Sequence, residues 1–140
     1  MVNKSVIIPV ILCLLPDFIH AKTVTEIQIN KVGIAYSDSK NINEIKACKQ
    51  FKPSQTQLID YFNTAEESIE NKWMHEYYSA CISTGHIKFT DGMTGRWTVQ
   101  SSGQGYVTTE DKKTIYFFRT NNGWNDPNAC TYGSGDEPEC

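Results

Sequence analysis

The sequence has little of what nucleic-acid-binding and membrane-bound proteins need. Arginine occurs only at Arg96 and Arg119, and the lysines are scattered through a chain with a formal net charge of −3 at pH 7. Nucleic-acid binding requires a basic patch or stripe, and an anionic membrane surface attracts clustered basic residues. We therefore expect no nucleic-acid partner and no membrane anchor once a signal peptide has been removed.

Motifs for catalysis and metal binding are missing as well. Neither His75 nor His86 belongs to a metal-ligand spacing, and no Gly-x-Ser-x-Gly elbow stands between a strand and a helix. The acidic stretch 136–139 lacks the alternating ligands and central glycine of a calcium loop. We expect no metal and no cofactor, and the pattern favours a protein that is not an enzyme.

No apolar run is long enough to span a bilayer, which takes about 20 residues. An apolar run does extend from Val6 to Leu15, follows Lys4, and leads to a small residue, Ala21, at a candidate cleavage site. This three-part layout is typical of a secretory signal peptide. We predict a signal peptide at 1–21 and one folded domain at 22–140, located in the periplasm or secreted.

Four cysteines remain after the predicted cleavage, and an even number in an exported chain indicates two disulfides. Three connectivities are possible, and we favour Cys48–Cys81 with Cys130–Cys140. The pair Cys130–Cys140 closes a short loop rich in Gly, Asp and Pro. The pair Cys48–Cys81 ties the segment before a helix to a strand. Each bond is expected to add about 2–4 kcal/mol of stability.

The first half of the domain reads as a strand followed by a helix. Apolar positions alternate through Val24–Tyr36 and change phase at Gly33, which predicts a bulged strand. Ser54 and Gln57 form a capping-box pattern, and an apolar stripe of about 12 residues follows, which predicts an amphipathic helix. The segment 41–51 is ambiguous. Glu66, Glu67 and Glu70 are expected at the solvated end of the helix.

The second half has the two-residue period of strands, in four short segments separated by turn residues at 91–95, 101–105 and 110–113. We predict an α+β domain, with one amphipathic helix packed on a four- to five-stranded antiparallel meander stapled by disulfides. A loop-rich tail at 121–140 completes it. The element order resembles the cystatin-like arrangement. A small barrel with an appended helix, as in lysozyme inhibitors, is the alternative.

A second resemblance rests on three short patterns: Phe51-x-Pro53-Ser54-x-x-Gln57, Tyr61-Phe62-x-x-Ala65 and Tyr77-Tyr78-x-x-Cys81. Together they are similar to a pattern in short exported bacterial proteins of unassigned function. The resemblance covers about a third of the mature chain and implies no activity.

Aromatic residues supply the candidate binding site. Tyr116-Phe117-Phe118 puts aromatic side chains on both faces of one strand, and a single helix covers only one face of a meander. Exposed aromatic side chains mark recognition surfaces, unless the C-terminal tail covers that face. We expect the binding residues to be Trp97, Tyr116, Phe118 and Trp124, with Asp136 and Glu137 from the acidic tail.

These observations favour a small exported bacterial protein of the periplasm that acts by binding another protein, most concretely as an immunity protein or as an inhibitor of a toxin or hydrolase. Two alternatives stay open. A small secreted hydrolase would use Glu76, which has aromatic neighbours in the sequence, with His75 or His86. A glycan- or peptidoglycan-binding module would stack sugars on the aromatic rings.

Overall fold

The computed structural model describes residues 21–36 and 38–133. Most of the predicted signal peptide therefore lies outside the described residues, as do Asp136, Glu137 and Cys140. The elements, in chain order, are β1 (Val24–Ala35), α1 (Ile42–Cys48), α2 (Gln55–Thr64), β2 (Glu66–Ser68), β3 (Cys81–Phe89), β4 (Thr94–Gln100), β5 (Gln104–Thr109) and β6 (Thr114–Phe118).

The six strands form one antiparallel sheet in the order β1-β3-β4-β5-β6-β2. The predicted α+β class and the meander from β3 to β6 are confirmed. The predicted count of four to five strands is wrong, because Glu66 and Glu67 form β2 instead of a helix end. β2 pairs with β6, where Glu67 lies opposite Phe117. The free edge of β6 provides backbone partners that an exposed helix end does not have.

The structure has two helices where the sequence predicted one. In α2 the capping box is present: the Gln57 amide N–H donates to Ser54 Oγ (3.1 Å), and the Ser54 amide N–H donates to Gln57 Oε1 (2.9 Å). The additional helix, α1, is capped by the Asn41 side chain, which accepts from two backbone N–H groups of the first turn. Among the described residues, no helix is long and apolar enough to cross a membrane.

The predicted bulge in β1 is confirmed. The register between β1 and β3 shifts between Lys31 and Ile34, and Gly33 adopts φ +59°. A Cβ atom at Gly33 would lie 2.7 Å from the Cys48 carbonyl oxygen and 2.8 Å from that of Phe51. Because both obstacles are backbone atoms and the backbone is left-handed here, the position requires glycine.

The core lies between one face of the sheet and the two helices. Leu58, Tyr61 and Phe62 of α2 are buried against it, and the Phe62 ring contacts the rings of Tyr61, Phe89, Trp97 and Phe117 with centroid distances of 5.0–6.2 Å. Edge-to-face pairs dominate these contacts, which is the arrangement that aromatic quadrupoles prefer. Many of the aromatic side chains of this sequence therefore pack in the core.

The disulfide Cys48–Cys81 joins the end of α1 to the start of β3, as predicted. Both cysteines are buried, and the bond closes the chain over a separation of 33 residues. Cys130 is also disulfide-bonded. Because Cys140 lies outside the described residues, the pairing Cys130–Cys140 stays a prediction.

Candidate functional site

The predicted binding residues do not lie together. Trp97 is only 1% exposed, and its indole N–H donates to the backbone oxygens of Gln28 (3.2 Å) and His86 (3.1 Å). The expectation that Trp97 is exposed is therefore wrong. Trp97 and Val99 both lie on the face of β4 that points to the helices, and the Trp97 ring is packed in the core. A buried ring offers no recognition surface.

Phe118 does point away from the helices, but other residues cover it. The Trp73 ring stacks on it with centroids 5.2 Å apart, and the Tyr77 ring lies 4.6 Å away. Both belong to the connection between β2 and β3. Tyr77 in turn contacts Tyr132 of the C-terminal segment (5.9 Å). The β2–β3 connection therefore covers Phe118, and the described part of the C-terminal tail reaches this region through the contact of Tyr132 with Tyr77.

Trp124 holds the start of the C-terminal segment against the body of the domain. Its ring lies 5.6 Å from the rings of both Phe51 and Tyr61, and its indole N–H donates to the Ser101 carbonyl oxygen (2.9 Å). The remaining predicted aromatic, Tyr116, is half-buried on the far side of the sheet, with its ring 6.4 Å from that of Tyr106.

Tyr116 and Tyr106 belong to what we call the open sheet face, the part of the sheet surface that points away from both helices. Two shallow cavities, of about 430 Å³ and 300 Å³, follow it across β1, β3, β4 and β5. Strand register and cavity lining define the face as Glu26, Gln28, Asn30, Thr84, His86, Lys88, Thr94, Arg96, Thr98, Tyr106, Thr108 and Tyr116.

Arg96 is a charged group on β4, within the open sheet face. It stands between His86 and Thr108 in the pairing register. Within the part of the chain that the structure describes, its guanidinium has no hydrogen bond and no ion pair, and the same holds for the Lys88 ammonium. Glu26, a carboxylate that lines the smaller of the two cavities together with Lys88, accepts a hydrogen bond from Gln28 Nε2 (3.3 Å). The face thus offers free cationic donors to a ligand.

A second feature, which we call the end cavity, lies beside the turn between β4 and β5. It has a volume of about 470 Å³ and is lined by Tyr77, Ser101, Ser102, Thr120, Asn121, Asn122, Gly123, Trp124, Asp126, Ala129, Cys130 and Tyr132. At its wall the Asp126 carboxylate accepts hydrogen bonds from Ser101 Oγ (2.6 Å), the Asn128 amide N–H (2.9 Å) and the Tyr132 hydroxyl (2.8 Å). This network fixes the C-terminal segment to the sheet.

Burial changes the titration of three tyrosines. It raises the pKa of Tyr36 to about 12, helped by the neighbouring phenol of Tyr106. Burial also raises the pKa of Tyr61, whose hydroxyl donates to backbone oxygens, and that of Tyr132, where the Asp126 carboxylate adds to the effect. In each case the folded protein favours the neutral phenol.

We expect these tyrosines to make the fold sensitive to alkali. Because the folded pKa values exceed the ordinary value of 10.0, their contribution to stability is complete below about pH 10 and falls as the pH rises from 10 towards 12. Tyrosinate absorbance measured against pH should show that three of the seven tyrosines ionise at a higher pH than the others. Tyr36→Phe should remove one late step. Ionisation of all seven near pH 10, with the fold still intact by circular dichroism, would contradict the prediction.

The residues of the hydrolase alternative lie on the surface. His75 and Glu76 are both exposed, and neither lines any of the cavities described above. His86 lies on the open sheet face, with its Nδ1 3.4 Å from Asn30 Nδ2. Among the described residues, no group of three His, Cys, Asp or Glu side chains is arranged to hold a metal ion.

Sequence reasoning expected an uncovered face of the meander with Tyr116 as a binding residue, but it missed the charged and hydroxyl groups of the open sheet face and the end cavity. The face is built from alternating Thr, His and Arg positions, a pattern that ordinary solvated strands share. The end cavity joins the β4–β5 turn to residues 120–132, a contact that no local pattern shows. A usable signal was the recurrence of threonine at every second or fourth position of neighbouring strands, at Thr84, Thr94, Thr98 and Thr108.

No protein-family model and no solved structure matches this chain. A curated protein, Pollen allergen Amb a 3 from Ambrosia artemisiifolia var. elatior, is 30% identical over 69 residues, which are 49% of this chain and 67% of the allergen. The match and the buried disulfide together indicate an extracellular protein. With this identity over two thirds of the allergen's length, the chain belongs, as a distant member, to the same family as Pollen allergen Amb a 3.

Proposed function

We propose that this is an exported bacterial protein of the periplasm that binds another protein, acting as an immunity protein or as an inhibitor of a toxin or hydrolase. The observation that carries the proposal is the open sheet face, where Arg96 and Lys88 have no partner among the described residues. Unpaired donors beside half-buried tyrosine rings are typical of binding surfaces, which are enriched in Tyr and Arg.

The charge of the open sheet face indicates the kind of partner. The whole chain has a net charge of −3, yet this face carries the cations Arg96 and Lys88 against the carboxylate of Glu26. A guanidinium binds carboxylates with two parallel hydrogen bonds, and threonine hydroxyls beside it add further donors. We therefore expect the partner to present an acidic surface.

The rigidity of the face supports the same conclusion. Short turns connect β3, β4, β5 and β6, and the disulfide Cys48–Cys81 ties the start of β3 to α1. Side chains held on a rigid sheet lose little conformational entropy when a partner binds. Binding by such a surface needs no catalytic group, which agrees with the exposed positions of His75 and Glu76.

The test is capture of a partner from a periplasmic extract of the source organism on the immobilised protein, followed by mass spectrometry and activity assays of the captured protein. We expect the captured protein to lose its toxic or hydrolytic activity when bound. Arg96→Glu and Tyr116→Ala should each weaken binding at least about tenfold, or about 1.4 kcal/mol.

Lys52→Glu is the matched control, because Lys52 is exposed and lies between the two helices, away from the open sheet face. It reverses the same charge and should leave the affinity unchanged. If all three variants bind as the unaltered protein does, the open sheet face is not the binding surface. If the captured protein keeps its full activity in the complex, the protein is not an inhibitor.

A further inference from the structure

We propose that the larger cavity of the open sheet face, of about 430 Å³, anchors the partner by taking the carboxylate side chain of one Asp or Glu from a projecting segment. This role depends on the protein-binding function proposed above, and it specifies which group of the partner is recognised. We call this space the Arg96 cavity. Its lining includes Asn30, Thr84, Arg96, Thr98, Tyr106 and Thr108.

The charge of the Arg96 cavity favours an anion. Among the described residues that line it, Arg96 is the charged one, and no carboxylate is present. The Arg96 guanidinium makes no hydrogen bond and no ion pair with the described part of the chain. Glu26, the carboxylate of the smaller cavity, accepts from Gln28 Nε2 instead. An anionic ligand in the Arg96 cavity therefore meets an uncompensated cation.

The number of cations in the cavity points to a carboxylate. A guanidinium binds one carboxylate through two parallel hydrogen bonds, and the two unit charges cancel. A phosphate group on a side chain carries about −1.5 to −2 charges at pH 7, and Lys88, the next cation of the face, lines the smaller cavity instead. The single guanidinium of the Arg96 cavity would leave part of that charge uncompensated, so Asp or Glu is the better match.

Threonine hydroxyl groups supply further donors beside Arg96. Thr84, Thr98 and Thr108 line the cavity and are half-buried, and within the described residues their side chains make no hydrogen bond. In the strand register Thr108 stands opposite Arg96, and Thr84 stands opposite Thr98. A hydroxyl group can donate to a lone pair of a carboxylate oxygen that the guanidinium leaves unused. The cavity therefore offers donors to both oxygens of one carboxylate.

An aromatic ring that its neighbours hold in place forms one wall of the cavity. The Tyr106 ring lies 6.4 Å from that of Tyr116, and its phenol neighbours that of Tyr36. The Tyr36 ring in turn stacks on Tyr78 with centroids 6.1 Å apart. Tyr106 is half-buried, so part of its ring stays accessible to a partner. Ordering such a ring on binding costs little conformational entropy, and Tyr and Arg are enriched among the residues that anchor interfaces.

The position of the cavity indicates how the partner reaches it. All of its lining residues belong to β1, β3, β4 and β5, so Arg96 stands on the surface of the sheet and not on a projecting loop. A sheet surface does not enter a cleft, and the partner therefore has to bring a projecting segment to Arg96. The volume of the cavity lies within the range of ordinary ligand pockets, which leaves room for a side chain and the backbone next to it.

The test is an NMR titration of the oxidised, ¹⁵N-labelled protein with N-acetyl-L-glutamic acid α-amide, with the isosteric N-acetyl-L-glutamine amide as the neutral comparison at matched ionic strength. At about 50 mM of each compound, millimolar dissociation constants are readily detected. We expect the acid to shift the signals of the Arg96 Nε–H and the Tyr106 backbone amide saturably, and the neutral compound to leave them in place. Arg96→Gln removes the charge and should weaken binding of the acid at least about tenfold. Arg96→Lys keeps the charge without the planar fork and should weaken it as well.

Lys52→Gln, at an exposed position between the two helices, is the control and should bind the acid as the unaltered protein does. The proposal is overturned if both compounds shift the signals equally, if neither does, or if Arg96→Gln binds the acid unchanged. Titrations with glucuronic acid and with inorganic phosphate complete the test. Tighter binding of either one than of the glutamic acid derivative would also overturn it, because the cavity would then be a site for an acidic sugar or for a phosphate group.

The titration contains no partner protein, so its result is independent of the capture experiment. If the acid does not bind but Arg96→Glu still prevents capture of a partner, only the carboxylate site is refuted. If the acid binds at Arg96 and no protein is captured, the carboxylate site stands and the protein-binding function is refuted.

Discussion

Replacing both Cys48 and Cys81 with alanine is expected to lower the free energy of unfolding by about 3–4 kcal/mol, the loop-closure value for a bond that spans 33 residues. The bond joins α1 to β3, and α1 has little else to hold it, since Cys48 is its only buried residue among those described. Without the bond, α1 should separate from the sheet before the rest of the domain unfolds.

Urea denaturation followed by circular dichroism measures the difference, and hydrogen exchange of the α1 amides locates it. Ile69→Ala serves as the control, because Ile69 is 85% exposed and its loss should change stability by less than about 0.5 kcal/mol. A loss below about 1 kcal/mol in the double cysteine variant would show that packing alone holds α1 in place.

Phe62→Ala should be about as destabilising, with a loss of about 3–5 kcal/mol. Phe62 is 2% exposed and contacts the rings of Phe89, Trp97 and Phe117 across the sheet. Its removal leaves a void that three rigid rings cannot fill by small shifts. Thermal and urea unfolding measure the loss, and Phe62→Leu should recover part of it.

Ile59→Ala in the same helix is the matched comparison, because Ile59 is only partly buried at the edge of the core. We expect its cost to be well below that of Phe62→Ala. Equal losses for the two variants would mean that α2 is stabilised by its helical backbone and its capping box more than by the aromatic cluster.

Features that depend on neighbouring residues could be predicted from the sequence. The capping box of α2, the bulge at Gly33 and the turns of the meander each rest on residues within four positions of one another. The disulfide Cys48–Cys81 also followed, because few pairings are possible among four cysteines. The α+β class is the sum of these local signals.

Features that depend on distant partners could not be predicted. Glu66 and Glu67 have no strand pattern of their own, and β2 exists because β6 offers a free edge. For the same reason, the sequence did not show that Trp97 points to the helices while Trp73 covers Phe118. The two-residue alternation of side chains along a strand shows which of them share a face of the sheet. It does not show which face packs in the core.

The irregular register of β1 has a consequence for solubility. β1 is the longest strand among those described and stands at an edge of the sheet, where a flat strand would recruit identical strands from other molecules. Its ladder is interrupted at three places, the last of them beside Gly33. Such bulges bend and twist the strand, which makes its free edge a poorer template for an identical strand of a second molecule.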